Sequence, residues 1–126
     1  MKTSACIETL FTEIPFYERF GAAKQAGFDY VEFWTWTDKD LQKVRSAARD
    51  AGIPICGISG DQDYSLVDPE HKQKYLDFIK RSVEAAETVG AETLIIHSNA
   101  LGEGGVVVNH YDNLSHTVKL CSMFDA

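Results

Sequence analysis

Polar side chains that can bind hydroxyl groups or move protons recur along the chain where short apolar segments end. They are Glu8, Glu32, Asp61, His97 and Asn99. Carboxylate and imidazole groups can accept and return protons, and together with an amide they can hydrogen-bond sugar hydroxyls or bind a metal ion. No single one is diagnostic, because each of these residue types also serves structural roles. Their joint recurrence predicts a site built from several neighbouring segments.

Glu32 lies in the most informative of these segments. Residues 28–36 are dense in aromatic residues and valine, as in a strand, and alternation places Glu32 and Trp34 on the same face. A central parallel strand is buried on both faces, where an unpaired carboxylate is costly. We therefore expect Glu32 to be paired, protonated or bound to a ligand. The alternative without a functional role is a structural ion pair or a solvent-exposed strand end. Trp34 can either wall a pocket or pack into the core.

The other candidates follow the third and fourth apolar segments. Residues 57–63 read G-I-S-G-D-Q-D, in which small residues let a ligand approach the backbone and Asp61 can bind hydroxyls. His97 and Asn99 point the same way at the end of the fourth segment. An acidic surface loop and a buried histidine satisfied by the backbone are the alternatives. Glu8 makes a similar case at the end of the first segment.

Strand-like and helix-like segments alternate along the chain, and they must position these side chains. Strands are predicted over residues 3–10, 28–36, 53–59 and 93–97, and helices over residues 15–27, 38–52, 69 to about 89, and from 112 onward. Glycine ends each of the first three helices, and Asp68-Pro69-Glu70 is a strong helix start. Such βαβ units predict an α/β fold with a parallel sheet and right-handed crossovers.

The number of units indicates the architecture. Four βα units fill the 126 residues, whereas a closed (β/α)8 barrel typically needs about 250. We therefore expect a single domain over residues 1–126 that forms the first four βα units of such a barrel, as a half-barrel or a truncated one. Its open sheet edges would favour homo-oligomers. The alternative is a complete open sheet, such as a receiver-type signalling domain, which needs an acidic pair where Glu8 stands alone.

Composition narrows the class of partner. The chain has 12 Lys and Arg against 19 Asp and Glu, for a net charge of -7. This balance disfavours binding to nucleic acids or anionic membranes, which requires clustered basic residues. Three widely spaced cysteines (Cys6, Cys56 and Cys121) predict no disulfide framework. Because no apolar signal segment precedes Glu8 and the cysteines are unpaired, we expect a cytoplasmic protein.

Three motifs carry a resemblance to a known family. They are A-C-I-E-T-L-F at residues 5–11, A-G-F-D-Y-V-E-F-W at residues 26–34 and G-A-E-T-L-I-I-H at residues 90–97. With them the sequence resembles the xylose-isomerase-like barrel superfamily and, within it, the hydroxypyruvate isomerase and sugar-phosphate isomerase/epimerase group. The resemblance covers the whole chain but only the first half of the family's fold.

The resemblance implies an isomerase or epimerase of small hydroxy-carbonyl compounds, with hydroxypyruvate isomerisation as the leading candidate. It implies a divalent Mg²⁺ or Mn²⁺ ion and two glutamates that pass the proton, all expected beyond Ala126, so that this chain alone should hold no metal and lack activity. A catalytically inactive half-barrel that serves as a binding or scaffold module is the alternative. The endonuclease IV branch is disfavoured, because the third strand offers no histidine. The implied substrate-binding residues are Glu8, Glu32, Trp34, Asp61, His97 and Asn99.

Overall fold

A computed structural model describes residues 1–61 and 69–97 of the chain. Four parallel strands form one sheet in the order β1-β2-β3-β4: β1 Ser4–Cys6, β2 Tyr30–Phe33, β3 Ile55–Ser59 and β4 Thr93–Ile95. The helices between them are α1 Arg19–Gln25, α2 Leu41–Ala51 and α3 Lys72–Val89, with 3₁₀ turns at Phe16–Glu18 and Pro69–His71 leading into α1 and α3. The alternating parallel α/β architecture is confirmed. Asn99 and the helix predicted from residue 112 lie outside the described residues.

Local signals account for the ends of the helices. The Asp40 side chain caps α2, accepting hydrogen bonds from the backbone N–H groups of Gln42 and Lys43 at 3.1 and 3.2 Å. Gly52 and Gly90 end α2 and α3 with φ angles of 64° and 77°, a left-handed conformation that glycine adopts without strain. Within the described ranges, no helix combines the length and the apolar composition needed to cross a bilayer.

The strands are shorter than the sequence predicts. The strand expected over residues 3–10 ends at Cys6, whose carbonyl accepts a hydrogen bond from the backbone N–H of Leu10 at 3.0 Å. Because this bond closes a turn, Glu8 lies in a loop rather than on a strand. β4 likewise ends two residues before His97. The candidate residues at these two positions are therefore held by loop contacts and not by the sheet ladder.

The helices of the described chain cover one face of the sheet. Val31 and Phe33 of β2 are fully buried against helical residues such as Phe20 and Val44. Side chains on the other face are partly exposed, and Glu32 is among them. The expectation that β2 is buried on both faces is thus wrong for the described residues. We refer to the face that carries Glu32 as the open face.

Candidate functional site

The sheet register separates Glu32 from the residues at the carboxyl edge. Glu32 pairs with Gly57 of β3, and Gly57 pairs with Thr93 of β4. Asp61 lies four residues after Gly57, and His97 lies four residues after Thr93. Both are therefore beyond the ends of β3 and β4. Glu32 therefore lies deeper in the sheet than Asp61 and His97, and the structure shows no contact between it and either of them.

Asp61 and His97 form the best-defined polar pair at the carboxyl edge. Asp61 Oδ2 accepts a hydrogen bond from the His97 backbone N–H at 2.9 Å, and Asp61 Oδ1 lies 2.9 Å from His97 Nδ1. The Asp61 side chain is 9% exposed, whereas the His97 side chain is 61% exposed. A carboxylate facing Nδ1 favours the proton on that nitrogen, which makes Nε2 the basic atom of the neutral ring. The pair thus presents an oriented imidazole at an exposed position.

Glu8 is held by structural partners. Its Oε2 atom accepts hydrogen bonds from the backbone N–H groups of Trp34 and Thr35 at 2.9 and 3.3 Å. Lys39 Nζ lies 3.1 Å from Oε1, and the Lys39 side chain is 7% exposed against 23% for Glu8. The same ammonium lies 4.6 Å from the centre of the Phe16 ring. Glu8 therefore anchors the segment after β2, and its carboxylate is largely occupied.

On the open face, Glu32 contacts a thiol. The Sγ atom of Cys56, a free cysteine, donates to Glu32 Oε2 at 3.6 Å and lies 3.1 Å from Ser4 Oγ. Burial raises the pKa of the Cys56 thiol; the hydrogen bond with Ser4 opposes this rise, and the nearby Glu32 carboxylate adds to it. Cys56 is therefore a hydrogen-bonding partner of Ser4 and Glu32. This environment stabilises the protonated thiol.

Trp34 is 49% exposed directly after β2, so its indole can contact a ligand. Asn99, the remaining predicted site residue, lies outside the described residues. Within residues 1–61 and 69–97, no three His, Cys, Asp or Glu side chains come together as a metal centre requires. The described residues thus do not fit a divalent cation, and they offer an oriented imidazole and an exposed indole.

Sequence reasoning missed two residues of this edge. Lys39 is the buried counter-ion of Glu8, but its sequence position, beside Asp38 at a helix start, is that of an exposed lysine. Ser82 is fully buried on α3, where the helical pattern predicts that its neighbour Val83 faces inward. Val83 is half-buried instead. One signal was available for Ser82, namely that it lies three and four residues from the buried Ile79 and Ala86.

Comparisons with known proteins agree with this architecture. The family model described as xylose isomerase-like TIM barrel matches residues 20–121. A Streptomyces coelicolor protein provisionally named hydroxypyruvate isomerase is 40% identical over 60 residues, which are 42% of this chain and 22% of that protein. The 2-oxo-tetronate isomerase of Haemophilus influenzae is 37% identical over 111 residues, which are 82% of this chain and 43% of that protein. The chain therefore spans less than half the length of either relative.

Solved structures support the fold. The crystal structure of 3-keto-D-glucoside 4-epimerase from E. coli superposes with a TM-score of 0.79 at 19% identity, covering 98% of this chain and 51% of that chain. An AP endonuclease, family 2, from Brucella melitensis superposes with a TM-score of 0.73 at 21% identity, covering 98% of this chain and 52% of that chain. At these identities the likeness concerns the fold alone. It corresponds to about half of a TIM barrel.

Proposed function

Because this chain belongs to the xylose isomerase-like TIM barrel family, we propose that it supplies the substrate-binding half of an isomerase or epimerase for a small hydroxy-carbonyl compound. The observation that carries the proposal is the Asp61–His97 pair, which holds an exposed imidazole at the carboxyl edge of the sheet. Parallel α/β folds bind their ligands at this edge. The name of the 2-oxo-tetronate isomerase, which is 37% identical, supports a substrate of this class.

His97 suits one of the two proton transfers in such a reaction. When a carbonyl moves to the neighbouring carbon, one proton passes between the two carbons, and the old hydroxyl loses a proton while the old carbonyl oxygen gains one. His97 Nε2 can accept the hydroxyl proton and return it to the other oxygen. Asp61 stabilises the imidazolium that exists between these steps, because its carboxylate faces Nδ1.

The carbon-bound proton requires a separate base. We propose that this base and the Mg²⁺ or Mn²⁺ ion implied by the resemblance come from further βα units, since the described residues do not form a metal site. The greater length of the two relatives is consistent with such units. Trp34 would contact the carbon skeleton of the substrate, and Asn99 remains a proposed hydroxyl ligand.

The test is isomerase activity of the intact protein from its source cells, supplied with Mg²⁺ or Mn²⁺. Hydroxypyruvate and 2-oxo-tetronate are followed by NMR in D₂O, where isomerisation through carbon deprotonation introduces deuterium next to the carbonyl. His97→Gln should lower kcat/KM about a hundredfold, because it removes a hydrogen bond between the imidazole and the reacting oxygens. The control, Glu87→Gln, changes an exposed charge near the end of α3 and should stay within about twofold.

Three results would contradict parts of the proposal. Absence of both turnover and deuterium uptake with these substrates and with small ketoses would exclude the isomerase assignment. Turnover by the 126-residue chain alone would exclude the claim that further units supply the base. Equal losses in His97→Gln and Glu87→Gln would show that the imidazole has no special role.

A further inference from the structure

A buried serine on α3 contacts the loop that carries Asp61. Ser82 Oγ donates to the carbonyl oxygen of Gly60 at 2.7 Å and lies 3.1 Å from the Phe78 carbonyl oxygen. It also accepts a hydrogen bond from Trp36 Nε1 at 3.0 Å. A hydroxyl has one proton to donate, and the shorter distance assigns it to Gly60.

Both backbone polar groups of Gly60 are hydrogen-bonded. Its N–H donates to the Ile95 carbonyl oxygen at 2.9 Å, which continues the β3–β4 pairing beyond the strand end. A Cβ atom at this position would lie 3.2 Å from Leu94 Cβ, so the backbone approaches β4 closely. Ser82 then fixes the carbonyl that precedes Asp61. The position of the Asp61 backbone is thereby determined by β4 and by α3 together.

The hydroxyl is not required for packing. Ser82 lies on the same helix face as Ala85 and Ala86, and an alanine would fill most of its volume without burying a polar group. The Phe78 carbonyl would by itself give the hydroxyl a partner within the helix. The contacts with Gly60 and with Trp36 Nε1 are therefore what a serine adds at this site, and of the two only the Gly60 contact leads to Asp61.

We propose that Ser82 is a positioning residue for His97. By holding the Gly60 carbonyl it places the Asp61 carboxylate, and that carboxylate orients the imidazole through Nδ1 and the backbone N–H. The proposal rests on the proposed function in taking His97 as the group that meets the substrate. Its structural part concerns the orientation of the ring and can be tested without turnover.

The experiment compares Ser82→Ala with Thr88→Ala in the intact protein. Thr88 is the matched control, because its hydroxyl donates to the Glu84 carbonyl oxygen at 2.8 Å on the same helix but outside the core. The His97 ring resonances are identified in ¹⁵N NMR spectra by their loss in His97→Gln. We expect Ser82→Ala to shift the Nδ1 resonance in the direction of Asp61→Asn, and Thr88→Ala to leave it unchanged.

Kinetics provide the second readout. Ser82→Ala should lower kcat about tenfold and leave KM within about twofold, because a misplaced ring costs rate more than binding. If the His97 Nδ1 resonance of Ser82→Ala is the same as in the wild-type protein, Ser82 does not position the ring. This conclusion holds regardless of the turnover that the variant shows. An inactive wild-type protein defeats the proposed function, while the NMR comparison still decides the role of Ser82. If Ser82→Ala does not fold, Ser82→Cys, a variant of similar size with a weaker donor, must show the same shift, and an unshifted ring there overturns the proposal.

Discussion

Glu8 and Asp61 are both carboxylates that follow a strand at the carboxyl edge, yet their surroundings differ. Glu8 receives two backbone N–H groups and the ammonium of Lys39, a cation that is itself 7% exposed. Asp61 faces His97, whose side chain is 61% exposed. The first carboxylate is thus neutralised by a cation of the protein, and the second supports an exposed imidazole.

If the proposed role of His97 is right, this difference indicates what distinguishes a structural acid from a functional one at the same edge. Burial does not separate them, because Asp61 is less exposed than Glu8, at 9% against 23%. The partner separates them. The Lys39 ammonium neutralises the charge of Glu8, whereas an imidazole held by one nitrogen keeps the other nitrogen for chemistry.

The sharpest test of this comparison is the removal of each negative charge. Asp61→Asn should lower kcat about a hundredfold, because the imidazole loses the carboxylate that orients it. Glu8→Gln should change kcat by no more than about threefold at temperatures where the protein is folded, because the Glu8 carboxylate is already bound by the Trp34 and Thr35 N–H groups and by Lys39. Steady-state kinetics with the substrate that the wild-type protein turns over provide the measurement. Comparable losses of kcat in both variants would contradict the distinction.

The second test concerns stability. Lys39→Met should lower the free energy of unfolding by about 3 kcal/mol, because it leaves a mostly buried Glu8 carboxylate without its cation. Lys43→Met is the matched control, since that side chain is 70% exposed and lies 3.8 Å from Asp40. A change of about 0.5 kcal/mol or less is expected there. Urea unfolding measures the free energy of unfolding of both variants. Equal losses in Lys39→Met and Lys43→Met would show that the Lys39–Glu8 pair does not stabilise the fold.

The smallest expected effect is on the pH dependence of stability and concerns Cys56, whose thiol faces Glu32. Glu32 thus differs from Glu8 in that its partner is a thiol and not a cation. The folded state holds the proton of Cys56 more tightly than the unfolded chain does, because its pKa is raised. This contribution to stability is complete below the ordinary thiol pKa and is lost as the pH rises through the raised value. Unfolding between about pH 8 and 11 should therefore show a fall in stability that is reduced in Cys56→Ala. The control Cys6→Ala retains Cys56 and should show the same fall in stability as the wild-type protein. An undiminished fall in Cys56→Ala would refute the raised pKa of the Cys56 thiol.

Features that depend on neighbours along the chain could be predicted from the sequence. The glycines that end α2 and α3 and the inward positions of Val44 and Ala48 follow from turn chemistry and helical spacing, whereas α2 begins at Leu41, capped by Asp40, and not at residue 38 as predicted. Strand lengths could not be predicted in this way. Apolar residues continue past Cys6, and the turn that ends β1 depends on which carbonyl the Leu10 N–H reaches.

The face of a helix is predicted less well at its margins. Successive helical residues differ by about 100° around the axis, so a boundary residue is assigned by what packs against it. Val83 is the more apolar residue and was expected to face inward, but Ser82 is the buried one because Gly60 and Trp36 meet it there. The sequence pattern contains no information about these partners.

The sequence by itself determined the alternation of strands and helices, the parallel sheet and the location of Glu8, Asp61 and His97 at its carboxyl edge. These depend on hydrophobic periodicity and on backbone preferences that act over a few residues. The tertiary structure alone decided which of those residues meet. Glu8 and Lys39 are 31 residues apart and Asp61 and His97 are 36 apart, so each pairing exists only once the strands are aligned in register. Whether a carboxylate receives a buried ammonium or an exposed imidazole therefore depends on side chains that the folded sheet brings together.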